Sequence, residues 1–190
     1  MKKWLALAAA LLFAGSAFSQ DTAQVVIQNR VNSPEQQKKP YVIMISADGF
    51  RYDYAKKYDA VHLQELAKSG VAATAMIPSF PSVTFPNHYS LITGLYPSHH
   101  GLVNNSFFDR SLNDRYNYNG KMIGDQKWYK GTPLWVLAEK QQMLTASFYW
   151  VGSEAPIQDT YPTYRYRYNE KINIHDRICL LYTSPSPRDS

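Results

Sequence analysis

The run Tyr41-Val42-Ile43-Met44-Ile45-Ser46-Ala47 is apolar at nearly every position, includes β-branched residues and follows Pro40. Such continuity predicts a central parallel strand covered on both faces. Asp48-Gly49 closes it. The period then changes: Val61, Leu63, Leu66 and Ala67 recur near helical spacing, Lys68 lies in the last turn and Gly70 stops it, so 59–70 is expected to be the crossover helix of a βαβ unit. Val71–Ile77 reads as the next strand. A Pro-punctuated stretch from Phe80-Pro81 to Leu95-Tyr96-Pro97 encloses a short apolar helix with Thr84 at its mouth, Pro86 in its first turn and Gly94 at its end. Asn113 to Lys130, rich in Asn, Tyr, Asp and Gly, reads as a long surface excursion. Gly131-Thr132-Pro133 then predicts a Thr cap and a Pro at the first helical position, with Leu134, Leu137 and Ala138 as the buried stripe and Leu144–Trp150 as a following strand. The alternation of strand, helix and strand gives an α/β fold, a parallel sheet with helices on both faces.

The first residues have a different character. Met1-Lys2-Lys3, an apolar run from Trp4 to Ala14 and a small-residue end at Ala17-Phe18-Ser19 read as a secretory signal peptide over 1–19, cleaved before Gln20. The expected product is exported, secreted or periplasmic, with no membrane span after cleavage. Residues 20–40 are polar without a sustained period and read as a mobile leader. Setting aside Lys2, Lys3, Arg188 and Asp189 takes the formal charge from +5 to +3. That is too mild to argue for a nucleic-acid polymer or a membrane surface.

Two residue patterns carry candidate chemistry. Thr84 stands where a helix N-terminus turns its free N–H groups and the positive end of its dipole outward, a good place to hold a phosphate. The plainer reading is an N-cap. Asp48 ends a buried strand, where open α/β sheets bind ligands, and a carboxylate there suits a metal ion; otherwise it belongs to an Asp-Gly turn. A Thr hydroxyl is a weak nucleophile that needs a metal or a base. No base stands beside Thr84 in sequence, which favours metal activation. His62 reads as a surface helix residue, His88 as structural, and His99-His100 as part of a turn.

Together, VIMISADGFR, SFPSVTFPNHYSLITGLYPSHHG and VNNSFFD, with 36 residues between Asp48 and Thr84, resemble the nucleotide pyrophosphatase/phosphodiesterase family of the alkaline phosphatase superfamily. The resemblance implies an alkaline-phosphatase-like α/β sandwich and a site with two zinc ions. Asp48 and Thr84 match metal-binding positions, and Thr84 matches the nucleophile, which forms a phosphothreonyl intermediate that water then hydrolyses. Asn105 matches the substrate-binding Asn whose amide donates to a phosphoryl oxygen; without the resemblance it reads as a turn residue. Phe85, next to the nucleophile, and Tyr168 match the aromatic pair that clamps the substrate's base, with Tyr164 or Tyr166 as alternatives to Tyr168. The Tyr/Arg alternation over 161–168 reads otherwise as an edge strand with a basic face. The implied substrate is a small nucleotide phosphodiester or pyrophosphate. A phosphate monoesterase of the same superfamily, with Arg165 or Arg167 reaching the terminal oxygens, is the nearest alternative. A non-catalytic binding module is the alternative from another class. The sulfatase Cys or Ser followed by x-Pro-x-Arg is absent.

From Cys179 onward the composition shifts to Ser and Pro, and the text resembles the translation of a sequencing-library adapter. The catalytic portion is therefore expected to span 41–178, with 179–190 foreign to it and the only Cys not native. The chain is expected to be a truncated, inactive piece whose remaining zinc ligands come later, because one carboxylate and one hydroxyl cannot hold two zinc ions of about four ligands each.

Overall fold

The computed structural model describes residues 23–183. The expected signal peptide, 1–19, and residues 184–190 of the expected tail lie outside the described residues. Five strands and six α-helices are formed among the described residues: β1 (Gln24–Val26), α1 (Tyr54–Lys57), α2 (Val61–Ser69), α3 (Thr84–Thr93), α4 (Pro97–His100), β2 (Ser106–Asp109), β3 (Asp114–Asn117), α5 (Leu134–Lys140), β4 (Ala146–Phe148), β5 (Tyr164–Tyr166) and α6 (Ile174–Thr183). The fold is α/β. None of these helices is long and apolar enough to cross a membrane.

The sheets are small and mostly antiparallel. β5 lies between β1, antiparallel in register Gln24↔Tyr166, and β4, parallel in register Ala146↔Tyr164. β2 and β3 form an antiparallel hairpin, Ser106↔Asn117 to Asp109↔Asp114. Its turn is an Asx turn, with Asp109 Oδ1 accepting from the N–H groups of Ser111 (2.7 Å) and Leu112 (3.1 Å). A larger parallel sheet is not formed among the described residues, contrary to the expectation from the strand–helix–strand alternation. Tyr41–Ala47 and Val71–Ile77 have the predicted apolar sequence and no strand ladder. A strand is defined by its partner, and no strand lies beside either segment among the described residues; Val42 (84% exposed) and Ile45 (86%) stand in solvent on both sides of the chain. The crossover helix does form. It ends as predicted, with the Gly70 N–H on Leu66 O at 3.0 Å, yet its stripe of Val61, Leu63 and Leu66 remains exposed.

The core lies further along the chain and is aromatic. Tyr89 and Ile92 of α3, Leu102, Tyr116 of β3, Trp128, Tyr129, and Trp135 and Val136 of α5 form one buried cluster. Tyr89 and Tyr129 rings are tilted at 5.3 Å, and Tyr116 meets Trp128 edge-on at 5.6 Å, in the offset geometries that ring quadrupoles favour. Residues 113–130 thus run through the core, where the polar composition had predicted a surface excursion: β3 alternates, hiding Tyr116 while Arg115 and Asn117 face out. In α5 the buried face is Trp135 and Val136, while Leu134 and Leu137 are exposed, because the larger ring takes the aromatic side. Its N-cap is Pro133, and Thr132 Oγ1 instead accepts from Gln158 Nε2 at 2.9 Å.

The stretch expected as a mobile leader carries β1. Beyond it, Arg30 Nη1 donates to Glu139 Oε2 at 3.1 Å and Asn32 Oδ1 accepts from the Leu144 N–H at 2.7 Å. Glu139 also accepts through Oε1 from the N–H groups of Thr145 and Thr163, each at 2.9 Å. One carboxylate therefore joins the end of α5 to the starts of β4 and β5. β5 is a central strand rather than an edge, and Tyr164 and Tyr166 are buried in it.

Candidate active site

The helix that begins at Thr84 is fixed before it starts. Val83 is its N-cap, in extended conformation, with no side-chain capping bond, so Thr84 is the first helical residue and its hydroxyl is left for other work. Asn87 does the fastening. Its Oδ1 accepts from the Ser79 N–H at 2.8 Å, and its Nδ2 donates to Pro81 O and Val83 O, each at 2.9 Å. Gly94 ends the helix in left-handed conformation (φ 69°), returning its N–H to Ser90 O at 2.8 Å. The inward face carries Tyr89 and Ile92 into the core.

Thr84 and Asp48, which the family resemblance implies belong to one site, meet: Thr84 Oγ1 donates to Asp48 Oδ2 at 3.2 Å. Both are reachable from solvent. Asn105, at the foot of β2, comes to the same helix end, where its Oδ1 accepts from the Phe85 N–H at 2.9 Å. That bond assigns the amide and leaves Nδ2 as its donor side. The Phe85 ring lies edge-on to Tyr118 at 5.7 Å and Tyr116 at 6.2 Å. The helix N-terminus is thus less open than an unoccupied one. Phe85 N–H is taken by Asn105, Pro86 has none, and Asn87 N–H closes on Val83 O at 3.2 Å. Thr84 N–H has no acceptor among the described residues. Two donors, Thr84 N–H and Asn105 Nδ2, therefore remain at this helix end, where the sequence had suggested a whole turn of free N–H groups.

Tyr168 stands apart from this group. Its ring is edge-on to Tyr149 at 5.3 Å, the Arg177 guanidinium lies 5.6 Å from the ring centre, and its N–H donates to Glu154 Oε1 at 3.0 Å. Burial raises the Glu154 carboxyl above its ordinary range. Among the described residues no contact joins Tyr168 to Phe85. Of the three candidate tyrosines, Tyr164 and Tyr166 are buried and Tyr168 is exposed.

One residue read as structural lies in the site. His88 Nδ1 is 2.8 Å from Ser46 Oγ, and its Nε2 is 3.8 Å from Asp48 Oδ1. The signal available in the sequence was the four-residue spacing from Thr84, which puts both on one helix face. His100, by contrast, is fully buried: Nδ1 accepts from the Leu102 N–H at 3.2 Å, Nε2 lies 3.0 Å from Ser90 Oγ, and burial lowers its pKa to about 4. It closes a helical turn, as expected for the His-His pair.

Asp48 and Thr84 offer two adjacent oxygen donors, a pair that suits one edge of a zinc coordination shell. No group of three or more His, Cys, Asp or Glu able to hold a metal occurs among the described residues. Further donors are needed to complete such a shell.

Comparison with known proteins identifies relatives of this chain. The family described as type I phosphodiesterase / nucleotide pyrophosphatase matches residues 42–183. Ectonucleotide pyrophosphatase/phosphodiesterase family member 3 of Bos taurus is 34% identical over 150 residues, 78% of this chain and 17% of that protein. Family member 1 of Homo sapiens is 34% identical over 164 residues, 85% of this chain and 18% of that protein. Among solved structures, murine family member 5, as an inactive threonine-to-alanine variant in complex with AMP, matches with a TM-score of 0.66 and 35% identity over 70% of this chain and 36% of that one. The chain spans less than a fifth of those two curated relatives. It belongs to the type I phosphodiesterase / nucleotide pyrophosphatase family.

Proposed function

We propose that the complete protein is an exported, secreted or periplasmic, metal-dependent hydrolase of nucleotide phosphodiester or pyrophosphate bonds. The observation that carries this reading is the Thr84–Asp48 contact at a helix N-terminus where two N–H donors remain. The Thr84 hydroxyl, its proton directed at Asp48 Oδ2, presents its lone pairs to phosphorus. A bond forms from Oγ1 to phosphorus and the bond to the leaving alcohol or phosphate breaks, giving a phosphothreonyl group that water cleaves to restore the hydroxyl. Thr84 N–H and Asn105 Nδ2 stabilise the charge that develops on a non-bridging oxygen. Asp48 and Thr84 would hold a zinc ion, one of two implied by the family, which supplies Lewis-acid polarisation and a lower pKa for the hydroxyl.

Phe85 and Tyr168 are assigned the nucleotide base. Every base has a π face, and Tyr168 alone of the three candidate tyrosines exposes its ring. The AMP bound by the murine relative is a ligand of that class. The fold expected of the complete protein is the parallel sheet with helices on both faces, to which Tyr41–Ala47 and Val71–Ile77 contribute strands; their apolar side chains on both faces support it. Arg165 lies over the Tyr161 ring at 3.9 Å, engaged in a cation–π contact. The diester reading is preferred to the monoester one because the family that matches the chain is described as phosphodiesterase / nucleotide pyrophosphatase.

The test compares hydrolysis of a nitrophenyl nucleotide diester with that of nitrophenyl phosphate by the complete protein and by Thr84→Ala. Diester preference that Thr84→Ala abolishes is the expected result. Monoester preference would transfer the assignment to a phosphatase, and activity unaffected by Thr84→Ala would remove the nucleophile.

A further inference from the structure

Asp48 ends a segment with no ladder to hold it, and the carboxylate is largely exposed. Something must nevertheless place it at Thr84. We infer that His88 is the positioning residue that holds Asp48 against Thr84, an inference that rests on the phosphodiesterase reading above.

The ring is gripped through Nδ1 and faces the carboxylate with Nε2. Nδ1 meets Ser46 Oγ at 2.8 Å, and Nε2 lies 3.8 Å from Asp48 Oδ1, longer than a hydrogen bond. With Ser46 donating to Nδ1, the ring proton sits on Nε2, toward the carboxylate. Ser46 lies two residues before Asp48, which opens the Asp48-Gly49 turn, and the one imidazole ring faces the side chains of both. Asp48 is thereby approached from two directions, Thr84 at Oδ2 and His88 at Oδ1.

His88 is itself immobilised, which a positioning residue must be. It is one helical turn beyond Thr84 on α3, its side chain is only 15% exposed, and its carbonyl accepts from Trp150 Nε1–H at 3.1 Å. The Trp150 ring stands edge-on to the imidazole at 6.2 Å. A shift of the 46–48 segment relative to α3 stretches the Ser46–His88 bond along with the Thr84–Asp48 one. Partners that orient a metal-binding side chain are worth about 10–100-fold in metal affinity or activity.

The experiment uses the complete protein with His88→Phe, which keeps a ring against Trp150 and removes both nitrogens, and with Ser46→Ala, which removes only the tether. Zinc affinity of the metal-stripped protein is measured by competition with a chromophoric chelator, beside kcat and KM for the nitrophenyl nucleotide diester and Tm of the metal-free form. We expect zinc affinity to fall about 10–100-fold in His88→Phe and less in Ser46→Ala, with kcat reduced and KM and metal-free Tm little changed. The double variant should match His88→Phe, since both substitutions cut one path. Zinc affinity and kcat within twofold of the parent in His88→Phe, with Thr84→Ala inactive, would overturn the positioning role and leave the phosphodiesterase reading intact. Activity in Thr84→Ala would instead overturn that reading. Should His88→Phe not fold, Ser46→Ala decides, and its zinc affinity unchanged from the parent overturns the inference.

Discussion

Asn105 makes two separable contributions, and two substitutions pull them apart. Its Oδ1 accepts the Phe85 N–H at 2.9 Å, a contact made in the free protein, while Nδ2 is assigned to the substrate. Asn105→Ala deletes both. The lost donor costs about 10²–10³ in kcat/KM, roughly 2.7–4 kcal/mol of transition-state stabilisation, and the orphaned Phe85 N–H costs about 1 kcal/mol of stability. Asn105→Asp keeps the acceptor and so nearly keeps the stability. It replaces the donor with a carboxylate oxygen and sets a negative charge against an anionic phosphoryl group. At about 4 Å that repulsion is worth about 1–4 kcal/mol, depending on how much water screens it. The expected order therefore inverts between assays: in kcat/KM for the nitrophenyl nucleotide diester Asp is the worse replacement, and in urea unfolding Ala is. Equal activity of the two variants, or Asn105→Asp retaining more than a tenth of the parent kcat/KM, would refute the division of labour.

Two predictions concern the scaffold. His100, neutral when folded down to about pH 4 and titrating near 6.5 when unfolded, leaves stability intact above pH 6.5 and erodes it below, because the unfolded chain then binds the extra proton. The loss is about 2 kcal/mol at pH 5 and levels off near pH 4; the half-buried Glu154, raised in the fold, acts with the opposite sign, so the measurement is urea unfolding of the parent against His100→Asn at pH 7 and pH 5. Parallel pH dependence in the two proteins would show that His100 is not held neutral. Glu139→Ala strands the Thr145 and Thr163 donors and removes the carboxylate from Arg30, which keeps Tyr161 O at 2.9 Å, so it is expected to lower the unfolding free energy by roughly 2–4 kcal/mol; a loss below about 1 kcal/mol would mean that the three segments are held by other contacts.

The parts of this chain that could be read in sequence are those whose cause is local. Gly94 ends α3 because a left-handed residue is needed there, and Gly70 stops α2 by the same chain logic of a helix running out. Thr84 and Asp48 could be paired because the motifs around them resemble those of one family, and the structure brings them within a hydrogen bond. What escaped was decided by partners. Tyr116, Trp128 and Tyr129 were hidden among Asn, Asp and Gly, since a window dominated by polar residues masks the few rings that make the core. The stripe on α5 turned toward Trp135, as tertiary packing outweighed the leucine pattern. Tyr41–Ala47 has strand composition without strand pairing, and composition cannot supply a neighbour. His88 escaped because its role depends on Ser46 and Asp48, far away in the chain.

The Asn87 amide ties α3 to the chain that leads into it, accepting from the Ser79 N–H and hydroxyl and donating to Pro81 O and Val83 O. Its consequence lies in when the ordering entropy of the nucleophile is spent. The backbone rotations that would let Thr84 swing away are removed as the helix forms, before any substrate arrives. A phosphoryl group entering this site meets a hydroxyl already on one heading, so its binding energy need not be diverted into aligning the attacking oxygen and remains for distorting the bond that breaks.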